Sequence, residues 1–235
     1  MKLLTQHSND YQALADLTLP GKRTYAARWG FELIEQGLTA PVTCWQRPEG
    51  WLAALQSMAA DEWLLFTGTD ALITNHTIDA RQLCDPAADL VVAADGNGLQ
   101  SDVMLLRRCP AIETLLREVC AHRDRPTNNE QDALNIELSQ AMNYADYTQK
   151  VGRLKQGGEP PSPALLQRLE RWLNRSAVMV KLIPQRQCNA YPHTLYGGTG
   201  REPYSWQPGD FIAHLPGLPN AVRIEWIKNA TVKAQ

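Results

Sequence analysis

The chain has 235 residues, 44% hydrophobic and 20% charged, with a formal net charge of −2. These values describe one globular domain with a sizeable core and exclude a surface that is basic throughout, while leaving room for a local basic face. Five cysteines, an odd number without Cys-x-x-Cys spacing, argue against a disulfide framework or a zinc ribbon, and no run approaches the ~18 apolar residues of a membrane span.

Residues 2–4 predict a short opening strand, and residues 5–10 a polar loop of the kind that begins many nucleotide-binding sheets. Tyr11, Leu14 and Leu17 are spaced as in a helix. Tyr25, Trp29 and Leu33, four apart, extend a helical reading over 24–35, although residues 31–34 fit a strand equally. Residues 41–45 read as a short strand, and Pro48 and Gly50 mark a turn. Residues 51–60 predict a helix with Trp51, Leu55 and Met58 inward.

Trp63-Leu64-Leu65-Phe66 is the short apolar run expected of a buried central strand. Thr67-Gly68-Thr69-Asp70 stops it, and Ala71-Leu72-Ile73 resumes the apolar character. Open α/β sheets present ligand groups at the carboxyl ends of strands. A strand-end Asp also commonly serves a turn. Asp70 is thus either a ligand or a cap.

Residues 79–85 predict a helical turn stopped by Pro86. Residues 90–94 form a β-branched, apolar strand, 95–98 a turn, and 103–107 the next strand. Pro110 opens a helix whose stripe is Ile112, Leu115, Leu116 and Val119. Asn129, with Asp132 three residues on, is an acidic variant of the capping box. Residues 144–174 are rich in Lys and Arg, among them Lys150, Arg153 and Lys155. They form either a solvated cationic face or a platform for an anionic acceptor. Residues 178–184 predict a strand, 197–203 a glycine-rich loop without a phosphate-loop pattern, and 223–228 a last strand.

Several of these stretches together resemble a known family. Asp70-Ala71-Leu72-Ile73-Thr74-Asn75 is similar to the Asp-x-Asp, Ala-Leu-Ile-x-Asn stretch of GT-A-fold glycosyltransferases. The relatives meant are the yeast-type α-1,2-galactosyltransferases and α-1,6-mannosyltransferases and the plant xyloglucan xylosyltransferases. Tyr25-Ala26-x-Arg28-x-Gly30-Phe31, Asp95-Gly96-Asn97-Gly98-Leu99 and Gly209-Asp210-Phe211-Ile212-Ala213-His214 match further motifs in order. Two departures stand out. Gly68 occupies the place of the family's first Asp, and Asp102 stands where the family has Gly. Asp102 either compensates for the missing carboxylate or reshapes sugar selectivity.

The resemblance implies a single α/β domain over 1–235, GT-A-like, with a mixed, mostly parallel central sheet flanked by helices and an insertion at about 144–175. It implies transfer of a sugar from a UDP- or GDP-sugar to a hydroxyl acceptor, with retention of configuration. The acceptor would be a glycan or, as a second option, modified nucleic acid. Asp70 and His214 would hold Mn²⁺ or Mg²⁺, and an imidazole ligand favours Mn²⁺. Thr5, Tyr11, Thr69, Asp70, Asn97, Asp102 and Gly217 would line the donor site, and Asp132 and Gln131 would face the reacting sugar. A chain of this family without an anchor suggests cytoplasmic work in a bacterium or a virus-infected host cell. The alternatives are a degenerate protein that binds a sugar nucleotide or glycan without turnover, and a nucleotidyltransferase releasing pyrophosphate.

Overall fold

A computed structural model describes residues 1–95, 98–125, 127–143, 145–147, 167, 169–170, 173, 177–192 and 205–232. Asn97, most of the basic segment 144–175 and the glycine-rich loop 197–203 therefore lie outside the described residues.

The main sheet has six strands in the order β2-β1-β3-β6-β5-β7. These are β1 (Lys2–His7), β2 (Glu32–Gly37), β3 (Trp63–Gly68), β5 (Leu90–Asp95), β6 (Gly98–Arg107) and β7 (Val180–Leu182). β1 pairs parallel with β2 and β3, and β5 parallel with β7, while β6 runs against both neighbours. The sheet is thus mixed and mostly parallel. A second sheet pairs β4 (Ala71–Ile73) with β8 (Ile212–His214).

Successive strand residues face opposite sides, and both sides are covered. Leu4, Leu64, Phe66, Met104 and Leu106 pack with apolar residues of α2 (Gln46–Gln56), α3 (Pro110–Ala121) and α4 (Glu130–Ser139). Leu3, Leu65, Val91 and Leu105 pack with Tyr25 and Ala26 of α1 (Gln12–Trp29) and with Phe211 and Ile212. Strands covered on both faces read as continuous apolar runs, which explains why β3 and β5 are legible in the sequence. Chain order continues through α5 (Gln185–Cys188) to α6 (Asn220–Val232).

Four expectations need correction. The two helical readings before residue 35 are one helix, α1, with Pro20 inside it. It ends at Gly30, whose left-handed φ of 68° closes the last turn, and the chain then enters β2. Residues 41–45 form no strand, and Val42, Thr43 and Cys44 line a cavity beside the sheet. α2 starts five residues earlier than the turn signals suggested, because Pro48 sits in its first turn, where a missing N–H costs nothing. Residues 223–228 are helical rather than extended. Their alternation in Arg223-Ile224-Glu225-Trp226 imitates a strand, and the helical period emerges only over Arg223, Ile227 and Ala230.

One side-chain clamp sets where α4 meets β6. Asn135 accepts from Leu99 N at 2.9 Å and donates to Leu99 O at 3.2 Å, while Tyr147 donates to Asn135 Oδ1 at 2.7 Å. Gly98 opens that clamp. Its φ is +111°, and a Cβ there would lie 1.8 Å from the Tyr147 hydroxyl. Gly98→Ala is expected to lower stability by about 3 kcal/mol through backbone strain and overpacking. Urea unfolding measures this, and an unchanged midpoint would contradict it.

Candidate metal and donor site

Two chain segments far apart in sequence meet in the small sheet. Ala71 of β4 pairs with His214 of β8, and Leu215 N donates to Asp70 O at 3.1 Å. Asn75 and Thr74 complete the zipper by bonding Gly209 O and Asp210 O. Asp70 therefore emerges from β3 directly beside His214. Asp102 arrives from β6: the β3–β6 register pairs Thr67 with Val103, and one further step sets Gly68 opposite Asp102.

Ligand atoms of Asp70, Asp102 and His214 all lie within 4.8 Å of one another. His214 Nε2 is 3.6 Å from Asp70 Oδ1 and 3.7 Å from Asp102 Oδ2. Those separations exceed hydrogen-bond length. Both ring nitrogens of His214 are buried without a hydrogen-bond partner. Buried polar atoms are ordinarily satisfied, so an imidazole left open between two carboxylates has the donor set of a divalent cation site. Oxygen and nitrogen ligands together suit Mn²⁺, Mg²⁺ or a similar ion.

Cations hold this cluster in place. Arg223, on the first turn of α6, lies 3.2 Å from Asp70 Oδ2 and donates to Leu215 O at 2.9 Å. Arg47 forks: one arm reaches Asp102 Oδ1 at 2.5 Å and the other Glu130 Oε1 at 2.5 Å. Its guanidinium also lies over Trp51 and Phe66, 5.8 and 5.4 Å from the ring centroids. Gln6 donates to Gln46 O at 3.3 Å and so ties the start of α2 to β1.

Burial works against the Asp70 charge, but His214, Arg223 and Arg47 outweigh it and hold its carboxyl down at about 2. Burial also works against a charged His214, yet Asp70 and then Asp102 push its value above that of a free imidazole. Metal ligation requires the neutral ring. Cation affinity should consequently fall as pH drops through the range where His214 takes a proton.

Beneath the cluster Lys22 is fully buried, donating to Gly68 O at 2.7 Å and Thr5 Oγ1 at 2.9 Å. Burial lowers its value to about 7, against the raising influence of Asp70 and Asp102. Between about 7 and the ordinary 10.5 the unfolded chain binds the extra proton, so stability should rise with pH across that window. Lys22→Met should flatten this slope in melting curves taken from pH 6.5 to 10. A slope that survives the change would contradict the assignment.

The cluster opens into a cavity of about 420 Å³. Tyr11, Thr69, Asp70, Asp102 and Gly217 are among the residues that line it. Thr5 does not: it is buried under the wall as the acceptor for Lys22, and its neighbour Gln6 lines the cavity instead. Gln131 and Asp132 sit in the first turn of α4, next to the Glu130 that Arg47 grips. Asn129 accepts from Asp132 N at 2.9 Å, as the capping reading expected, and Asn128 donates to the Asp132 carboxylate at 3.0 Å. Neither Gln131 nor Asp132 is among the residues lining the cavity.

Sequence reading missed Lys22, Arg47, Glu130 and Arg223. A signal for the three cations existed. Lys22 falls on the stripe of Leu14, Thr18, Tyr25 and Ala26, and Arg47 and Arg223 each stand four residues before a core side chain, Trp51 and Ile227. Charges on core-facing helix positions demand buried partners.

The mixed sheet thus brings two carboxylates and an imidazole to the mouth of one cavity. The chain is similar in fold to a glycosyltransferase involved in glycosylation of the major capsid of PBCV-1, with a TM-score of 0.64 and 11% identity over 97% of this chain and 98% of that one. It is also similar to the galactosyltransferase LgtC, with a TM-score of 0.48 and 10% identity over 99% and 96%. For GlyE of Streptococcus pneumoniae TIGR4 the TM-score is 0.47, with 11% identity over 99% and 62%. At such identities the likeness is one of fold, and the first of these structures alone carries it. No protein-family profile and no curated protein sequence matches the chain. Among the described residues, no helix is long and apolar enough to cross a membrane.

Proposed function

We propose that this chain is a metal-dependent glycosyltransferase that moves a sugar from a UDP- or GDP-sugar to a hydroxyl acceptor, with retention of configuration. The observation that carries the reading is the buried, unpartnered imidazole of His214 between Asp70 and Asp102 at an open cavity. When bound there, Mn²⁺ or Mg²⁺ supplies positive charge to a departing diphosphate.

The chain's own groups fit the rest of the task. Tyr11, 37% exposed on the cavity wall, offers a ring face for a nucleobase. Arg223 beside it holds Asp70 and presents positive charge to phosphate oxygens. By the resemblance alone, Asp132 and Gln131, at the start of α4 and outside the cavity lining, would steady positive charge on the transferred sugar. The acceptor in this reading is a glycan, with nucleic acid as the second option; the family resemblance assigns Asn97 to donor binding, and the charge of the basic segment 144–175 suits an anionic acceptor. We read 1–235 as one catalytic domain, working in the cytoplasm, whose motifs resemble those of the yeast-type and plant enzymes named above.

A panel of UDP- and GDP-sugars, incubated with the chain with and without Mn²⁺, tests this reading. Sustained, Mn²⁺-dependent release of nucleoside diphosphate is expected. Tight binding without release would favour the degenerate binding protein, and release of pyrophosphate a nucleotidyltransferase.

A further inference from the structure

The second carboxylate of the cluster comes from an unexpected strand. Gly68 ends β3, immediately before Thr69 and Asp70, and it has no side chain to offer. A Cβ built on Gly68 would lie 2.7 Å from Asp102 Oδ1, 3.4 Å from Asp102 Cβ and 3.2 Å from Asp70 Oδ1. The volume a side chain at 68 would fill is thus the volume the Asp102 carboxylate already occupies. Register explains the coincidence, since 68 and 102 face each other one step beyond the Thr67–Val103 pair. Facing residues of an antiparallel ladder address the same space.

We infer that Gly68 and Asp102 are a reciprocal pair: the bare glycine on β3 makes the room through which β6 supplies the site's second carboxylate. Arg47 completes the arrangement. It grips Asp102 Oδ1 and leaves Oδ2 turned towards His214. A side chain at 68 would push Asp102 Oδ1 off its place against Arg47, so the two positions compete for one space. This inference rests on the metal reading proposed above and says which residue pair makes that site.

Mn²⁺ binding, followed by electron paramagnetic resonance on folded protein, tests the pair without reference to turnover. Asp102→Gly should weaken Mn²⁺ binding at least about tenfold, and Gly68→Ala, which adds only a methyl group, should do so by displacing the ligand. The exchange Gly68→Asp with Asp102→Gly removes the Asp102 contacts, leaves Asp70 Oδ1 as the tightest remaining neighbour of the new Cβ, and restores a carboxylate to the same space. Its affinity should return to within about threefold of the unaltered chain, a strongly non-additive result. Should the Gly68→Ala chain melt early, the comparison of Asp102→Gly with the exchange still decides. If the unaltered chain binds Mn²⁺ and the exchanged chain binds no better than Asp102→Gly, the pairing is overturned alone. If the unaltered chain binds no Mn²⁺, the metal reading falls and the pairing with it.

Discussion

Asp70→Ala is expected to abolish cation uptake and to reduce sugar transfer about a thousandfold, the scale on which losing a charge-stabilising group slows a reaction. Asp70 sits where the end of β3, β8 and α6 meet. It lies 3.6 Å from His214 and 3.2 Å from Arg223, and its backbone carbonyl pins Leu215. Because that backbone contact survives substitution, the β4–β8 pairing should persist and the loss should be local. Asp70→Asn, which keeps shape and removes charge, separates the two contributions. The same variant has an acid signature. The Asp70 value falls from 3.8 in the unfolded chain to about 2 in the folded one, so its stabilisation is present above pH 3.8 and is lost as pH falls towards 2. Asp70→Asn should flatten this acid limb. Rates of nucleoside diphosphate release and melting curves between pH 2 and 5 measure the two effects. Near-normal Mn²⁺-dependent transfer in Asp70→Ala would reject the assignment.

Arg47→Met is expected to cost about 3 kcal/mol of stability, because it strands charged partners rather than because it removes an attraction. Glu130 is 3% exposed and takes one arm of the guanidinium, while Asp102 takes the other. Methionine keeps much of the contact with Trp51 and Phe66 and supplies no donor. For a chain of this length the loss corresponds to a fall of about 10 °C in melting temperature. Adding Glu130→Gln should recover part of it, since one of the two stranded charges, the more buried one, is then gone. Recovery in the double variant marks an electrostatic origin, whereas a further loss would mean that packing of the Arg47 stem dominates.

The parts of the fold that the sequence made legible share a physical cause. β3 and β5 are buried on both faces, so their residues are apolar without interruption. α3 has a clean stripe opened by Pro110. Asp70 and His214 could be paired only through the resemblance of their motifs to a known family; each alone reads as an ordinary strand-end residue. What stayed hidden depends on contacts between segments. Pro48 looks like a turn until its place in the first turn of α2 is known. Four residues of alternation at 223–226 disguise a helix whose period needs about eight residues to appear. Asp102 was recognisable as an odd residue, but only the β3–β6 register reveals that it faces Gly68. Lys22, Arg47 and Arg223 lie on helix faces that other segments of the chain bury, and charges on such faces are easily taken for surface.

The metal reading has Asp70 after β3, Asp102 of β6 and His214 of β8 gather around a single ion. Anomalous diffraction from crystals soaked in Mn²⁺ addresses it directly. One strong peak is predicted within coordinating reach of Asp70, Asp102 and the imidazole of His214. A peak bound elsewhere, or none at millimolar Mn²⁺, would contradict it.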